Sequence, residues 1–143
     1  MKCVVDTNIL NRLVDGALRP EDLPADSEFV ATHVQVDELN RTSDVERRAR
    51  LFLMFATTVN AVVCTESFVL DASRLGYAKL SDGILYTALK ADLDVKNRGK
   101  ANNVQDALIA EMAIVNGYML LTADSHLAEV ANKHGCSVRH LAT

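Results

Sequence analysis

The sequence predicts an α/β domain whose mainly parallel sheet is covered on both faces. Short apolar segments rich in β-branched residues alternate along the chain with segments whose apolar residues recur at helical spacing. At both ends of the chain, a strand-like segment passes into a helical one through a short polar connection. This alternation is typical of parallel sheets, because parallel strands are joined by crossover helices. The length of 143 residues predicts a single domain, residues 1–143.

The predicted strands are short and apolar. They span residues 3–5, 28–31, 59–64, 68–70, 118–121 and 137–140. The acidic stretch between Pro20 and Pro24 holds both prolines of the chain and predicts a surface loop before the second strand.

The predicted helices have recognisable ends. They span residues 9–14, 33–41, 44–57, 82–93, 104–115 and 125–133. Ser43 is predicted as the N-cap of the third helix, where Glu46 completes a capping box. Asn116 and Gly117 end the fifth helix. Residues 94–103, between the fourth and fifth helices, predict a polar and basic loop.

Composition narrows the class of protein. The three cysteines, Cys3, Cys64 and Cys136, are odd in number and far apart, which predicts buried reduced thiols in a cytoplasmic protein. The net charge of −4 argues against a surface that coats nucleic acid, but it permits a local basic patch and suits acidic metal ligands. No apolar run approaches the ~18 residues of a membrane span, so no membrane contact is expected.

Four acidic residues occupy comparable places in this pattern. Asp6 and Asp124 each follow a strand where a helix begins, Asp106 lies in the first turn of a helix, and Glu38 lies in the helix after the second strand. The carboxyl ends of parallel strands share one edge of the sheet, so these side chains are expected to converge.

Convergence of carboxylates needs electrostatic compensation. Two carboxylates about 4 Å apart repel by roughly 4 kcal/mol at an effective dielectric near 20. A bound cation or raised pKa values would compensate. Ligands that are all oxygen select Mg²⁺ or Mn²⁺ over Zn²⁺, and such sites support phosphoryl chemistry.

A purely structural interpretation competes with the metal site. Aspartate at a strand-to-helix turn is a common helix cap, and Thr7, Asn8, Thr122 and Ser125 suit the same role. Glu38 taken alone is an ordinary solvated helix residue. Position along the chain alone supports the metal-site interpretation and the structural interpretation about equally.

Four segments carry a family resemblance, and together they span nearly the whole chain. They are residues 4–10 (VVDTNIL), 34–39 (VQVDEL), 102–111 (NNVQDALIAE) and 120–124 (LLTAD). In this order and spacing, the chain resembles PIN-domain ribonucleases, the fold of VapC-type toxins and of several RNA-processing nucleases. The resemblance implies a three-layer α/β/α fold with an acidic pocket that binds Mg²⁺ or Mn²⁺ and cleaves single-stranded RNA with an activated water.

The resemblance also implies residue roles. Asp6 and Asp106 match direct metal ligands, Glu38 a group that orients or deprotonates the attacking water, and Asp124 a ligand that binds metal directly or through water. Asn8 and Thr122 match supporting polar positions. The implied partners are RNA and an antitoxin protein that blocks the pocket, and a homodimer is expected.

Some residues stand apart from this pattern. Glu111 occupies a position where many small family members have a small residue, and we interpret it as structural or as an outer-shell acid. Lys96, Arg98 and Lys100 predict an RNA-binding loop, with a plain solvated loop as the alternative. Residues 51–55 (LFLMF) are predicted as core, and any exposed part of them as a dimer or antitoxin surface.

Three other functions are weighed against a toxin ribonuclease. A nuclease in RNA processing or defence would need no antitoxin. A non-catalytic binding domain would keep the scaffold, although none of the four acids is missing. An aspartate-based phosphatase usually needs a second aspartate two positions after the first, and that position is Asn8.

Overall fold

A parallel sheet forms the centre of the computed structural model, which describes residues 1–70, 72–73 and 76–141. Within these residues, five strands pair in the order β3-β2-β1-β4-β5, and each neighbouring pair is parallel. Their bounds are β1 Lys2–Val5, β2 Glu28–Ala31, β3 Ala61–Val62, β4 Met119–Thr122 and β5 Val138–His140. All carboxyl ends of the strands therefore lie at one edge of the sheet.

Helices connect the strands and cover the sheet. In the described part of the chain they are α1 Thr7–Val14, α2 His33–Asn40, α3 Val45–Thr58, α4 Ile84–Asn97, α5 Asn103–Asn116 and α6 Ser125–Lys133. A short 3-10 turn, Pro20–Asp22, lies between α1 and β2. None of these helices combines the length and the apolar character of a membrane span.

The alternation of side chains along β1 divides the core into two halves. Val4 packs into one apolar cluster with residues of α4, α5 and α6. Cys3 and Val5 point to the other face, into a cluster with residues of α1 and α3. A strand buried on both faces needs helices on both sides. The predicted three-layer α/β/α architecture with a parallel sheet is confirmed.

The middle of the chain departs from the predicted strands. The strand predicted over 59–64 shrinks to Ala61–Val62, and residues 68–70 form no strand. Turn hydrogen bonds replace a ladder there: Ser73 Oγ accepts from the Val69 N–H at 2.9 Å, and the Val69 carbonyl accepts from the Ala72 N–H at 3.2 Å. Val69 and Ala72 pack against the apolar cluster that contains Val4 without pairing as a strand.

Several helix boundaries also differ from prediction, since α1 begins at Thr7 rather than at residue 9 and α4 begins at Ile84 rather than at residue 82. Asp44, not Ser43, caps α3, because its carboxylate accepts the backbone N–H groups of Glu46 and Arg47 at 3.0 and 3.1 Å. Helix α4 continues to Asn97, four residues beyond the predicted end. The polar residues of its last turns are compatible with a helix exposed on one side.

The cysteines carry free thiols, as predicted. Cys3 and Cys136 are buried, whereas Cys64 is only half-buried. The core interpretation of residues 51–55 holds for Leu51, which is fully buried, but Leu53 is 66% exposed. Leu53 lines an apolar surface cavity with Val14, Arg50, Met54 and Thr57. Dimerisation stays a prediction.

Candidate active site

The strand order creates a crevice at the carboxyl edge of the sheet. β1 leads into α1 on one face and its neighbour β4 leads into α6 on the other, so the connections diverge between them. Ligands bind at such switch points in open α/β sheets. A cavity of about 240 Å³ lies here. Its lining residues are Asp6, Thr7, Asn8, Asn11, Glu38, Leu39, Thr42, Asn102, Asp106 and Asp124.

Asp6 and Asp124 are helix caps that also line the cavity. Asp6 Oδ1 accepts the Thr7 N–H at 2.7 Å at the start of α1. Asp124 Oδ1 accepts the N–H groups of His126 and Leu127 at 2.9 and 3.2 Å at the start of α6. The sequence left open whether Asp6 and Asp124 cap helices or line an acidic pocket, and in the structure they do both.

Asn8 and Thr122 join the two capping turns. The Thr122 hydroxyl donates to Asp6 Oδ2 at 2.8 Å and accepts the Asp124 N–H at 3.0 Å. Asn8 Oδ1 accepts the Ala123 N–H at 3.0 Å, and its Nδ2 donates to Thr122 Oγ1 at 3.4 Å. These bonds fix the turn that carries Asp6 against the turn that carries Asp124.

Glu38 reaches the cavity because its helix is tied to β1. Gln35, one turn before Glu38, donates from Nε2 to the Val5 carbonyl at 3.1 Å. Gln35 Oε1 in turn accepts the Thr32 N–H and hydroxyl at 2.9 and 2.6 Å. The capping box thus sets both the start of α2 and the direction of its acidic face.

Burial and mutual repulsion raise the pKa values of three of the four acids. Burial, followed by the charges of Asp6, Glu38 and Asp124, raises the pKa of Asp106 to about 9, although Lys100 opposes the shift. Burial and then the charge of Asp6 raise the pKa of Glu38 to about 7. Burial raises the pKa of Asp6 to about 6 despite its bond from Thr122. The cluster therefore carries more negative charge than its surroundings compensate.

The donor atoms of the cluster fit a hard divalent cation. All are carboxylate oxygens, and Glu38 Oε1 is buried with no hydrogen-bond partner among the described residues. Among the described residues, no three Asp, Glu, His or Cys side chains are arranged as a ready-made metal-binding group. Asp6 uses both oxygens to accept protein hydrogen bonds, but each oxygen keeps a second lone pair. Ligand chemistry and unmet charge together suit Mg²⁺ or Mn²⁺.

The predicted basic loop is placed differently from expectation. Lys96 lies in the last turn of α4, and its Nζ is 2.6 Å from Glu129 Oε2 on α6. Arg98 ends α4 in a left-handed conformation with φ of 55°. Lys100 lies in the following loop, and its charge lowers the pKa of Asp106. The charge of Lys100 thus acts on the acid cluster.

Three polar residues of the cavity wall were missed by sequence reasoning. Asn11, Thr42 and Asn102 line the cavity together with the acids. Helical spacing would have found two of them: Asn11 lies three residues after Asn8 on α1, and Asn102 lies four residues before Asp106. Thr42 follows the end of α2 and has no such signal.

Glu111 lies outside the cavity. It is 2% exposed, and its Oε2 accepts the Ser67 hydroxyl at 2.9 Å, while its Oε1 has no hydrogen-bond partner among the described residues. Ser67 Oγ also bonds to Ser81 Oγ at 2.6 Å. Glu111 thus connects α5 to the segment that follows β3, which supports its structural interpretation.

The Glu111→Gln variant is expected to be more stable than the wild type at pH 8. Burial raises the pKa of Glu111 in the folded protein. At a pH where the carboxyl group is ionised, the buried charge therefore lowers the free energy of unfolding, and the neutral amide of glutamine avoids this loss. Urea unfolding at pH 5 and pH 8 measures this. The difference should shrink at pH 5, and a variant less stable at pH 8 would contradict the expectation.

Comparison with known proteins bears on the fold. No protein-family model and no curated protein matches the sequence. Among solved structures, VapBC2 from Rickettsia felis, bound to a DNA fragment from its promoter, matches with a TM-score of 0.61 and 16% identity over 98% of both chains. VapBC-1 from nontypeable Haemophilus influenzae matches with a TM-score of 0.59 and 17% identity over 98% of both chains. The chain has a VapC-like PIN fold.

The PIN fold predicted from the four sequence segments is thereby confirmed. A domain of a functionally unknown protein from Methanocaldococcus jannaschii shares it, with a TM-score of 0.56 and 15% identity over 99% of this chain and 91% of that one. At these identities, the likeness concerns the fold.

Proposed function

We propose that this protein is a divalent-metal-dependent endoribonuclease that hydrolyses single-stranded RNA and acts as the toxin of a type II toxin–antitoxin pair. The observation that carries the nuclease proposal is the cavity at the sheet edge, which four acids from separate elements line and in which three of them have raised pKa values. The fold shared with VapBC proteins supports the toxin role and an antitoxin partner. A cytoplasmic location stays a prediction.

The proposed roles of the acids are those that the resemblance to PIN-domain ribonucleases implies. Asp6 and Asp106 would hold Mg²⁺ or Mn²⁺ directly, and Asp124 directly or through water. A bound ion of this kind lowers the pKa of water and neutralises charge on the phosphodiester. Glu38, with a pKa raised to about 7, is suited to take a proton from the attacking water near neutral pH. Asn8 and Thr122 hold Asp6 in position.

Cleavage of a mixed-sequence pool of single-stranded RNA tests the nuclease proposal. We expect purified wild-type protein to cut the pool with Mg²⁺ or Mn²⁺ and not with EDTA. An Asp6→Asn preparation purified in parallel controls for contaminating nucleases and should be inactive. Wild-type protein that cuts nothing with either metal would reject the proposal in favour of a non-catalytic binding domain.

Growth after expression tests the toxin role. We expect expression of the wild type alone to stop growth, and expression of Asp6→Asn to leave growth unchanged. Normal growth with a protein that cleaves RNA in vitro would instead favour a nuclease of RNA processing or defence, which needs no antitoxin.

A further inference from the structure

Arg47 connects α3 to the wall of the acid cavity. Its Nη1 lies 2.6 Å from Asp15 Oδ1 and its Nη2 lies 3.2 Å from Asp15 Oδ2, so the ion pair is bidentate. The same Nη2 donates to Asn11 Oδ1 at 2.7 Å. The Arg47 side chain is only 29% exposed. Asp15, at the end of α1, thus holds the Arg47 guanidinium against Asn11, which lines the cavity.

These contacts determine the orientation of the Asn11 amide. Arginine offers only donors, so the amide atom that faces Arg47 must be the oxygen. At the other end of the amide, Asn11 Nδ2 donates to the Thr7 carbonyl at 3.1 Å, which requires the nitrogen there. Both partners select the same amide orientation. The amide nitrogen retains one further N–H.

The chemistry of the cavity wall suggests the use of this N–H. Asn11 lines the cavity beside four carboxylates, which are acceptors when ionised. An amide N–H does not bind a hard cation, but it donates well to an anionic oxygen. Because Asn11 carries no charge, it adds an anion contact without competing with the metal for the carboxylates.

We propose that Asn11 contacts the substrate by donating its free amide N–H to a phosphodiester oxygen of the RNA, and that Arg47 is a positioning residue that acts through Asn11. This inference rests on the proposed ribonuclease function and names a substrate contact of the same site. Arg47 itself is not among the residues of the cavity wall. Its contribution to cleavage therefore passes through the amide that it orients.

Steady-state cleavage of one single-stranded RNA with Mn²⁺ tests this inference, with thermal unfolding of each variant alongside. We expect Asn11→Ala to lower kcat/KM about tenfold, which corresponds to one hydrogen bond to a charged group, and Arg47→Ala to lower it about threefold. The double variant should match Asn11→Ala alone, because Arg47 has no role once the amide is gone. Asn11→Asp, which keeps an acceptor for Arg47 but repels phosphate, should lose more activity than Asn11→Ala.

Arg19→Ala is the matched charge control. Arg19 precedes the 3-10 turn before β2, which places it toward the edge of the sheet opposite the cavity, and it pairs with Asp22 at the surface. The Arg19→Ala variant should cleave RNA with the same kcat/KM as the wild type.

Three results would overturn the inference. Unchanged kcat/KM in Asn11→Ala would remove the substrate contact while leaving the proposed nuclease intact. A further loss when Arg47→Ala is added to Asn11→Ala would show that Arg47 contacts RNA itself or acts through stability. Wild-type protein without metal-dependent cleavage would overturn the inference and the proposed function together.

Discussion

Asp106→Asn is expected to lower the rate of RNA cleavage about 1,000-fold or more, the largest effect of any single change that we predict. Asp106 is 7% exposed, and its pKa is raised further than that of any other acid of the cavity. A bound cation removes this unfavourable charge, so the side chain has the strongest electrostatic reason to hold one. Asparagine keeps the shape and one oxygen but loses the charge.

The measurement is single-turnover cleavage at saturating Mg²⁺ and at saturating Mn²⁺, with circular dichroism to confirm folding. Glu21→Gln is the matched control, because it removes one acidic charge at an exposed site in the 3-10 turn. It should cleave RNA as fast as the wild type. Asp106→Asn protein that is folded and retains more than about a tenth of the wild-type rate would contradict the assignment of Asp106 as a metal ligand.

Without divalent metal, the free energy of unfolding is expected to fall by several kcal/mol between pH 5 and pH 8. The pKa values of Asp6, Glu38 and Asp106 are raised in the folded state to about 6, 7 and 9. The folded protein therefore binds more protons than the unfolded chain in this range, and stability decreases as the pH rises. The loss begins above the ordinary carboxyl pKa values near 4 and continues as each folded-state group ionises.

Metal and mutation should each reverse this loss of stability. Mg²⁺ or Mn²⁺ should raise the melting temperature more at pH 8 than at pH 5, because the ion binds the ionised carboxylates. Asp106→Asn should be more stable than the wild type at pH 8 without metal, with a flatter pH dependence and little response to metal. Urea titrations across the pH range measure both effects. A melting temperature that responds equally to metal in the wild type and in Asp106→Asn would contradict this account.

The cavity could be predicted from the sequence because its acids lie where simple rules place them. Asp6 and Asp124 follow apolar runs that form strands, and Asp106 opens a helix with a clear apolar pattern. Parallel strands then bring these positions to one edge. The convergence of the acids follows from the direction of the strands alone and requires no distances.

The surroundings of the acids could not be predicted in the same way. The contact between Arg47 and Asn11 joins residues of two helices that lie 36 positions apart in the sequence, and no local sequence pattern predicts it. The segment after β3 also differs from the predicted strand, because Val69 packs against the apolar cluster that contains Val4 and takes part in turn hydrogen bonds rather than in a sheet. Periodicity reports that a residue is buried, but it does not report which partner buries it.

The position of β1 in the middle of the sheet has a consequence for synthesis of the chain. β1 is made first, yet one of its two neighbours is β4, and the bond from Thr122 to Asp6 joins residues 116 positions apart. Contacts of such long range slow folding, because closing a long loop costs entropy. A growing polypeptide on the ribosome holds Asp6 but lacks Thr122 and Asp124. If the protein cuts RNA as proposed, the translation machinery is not exposed to the assembled nuclease until Thr122 and Asp124 have been synthesised.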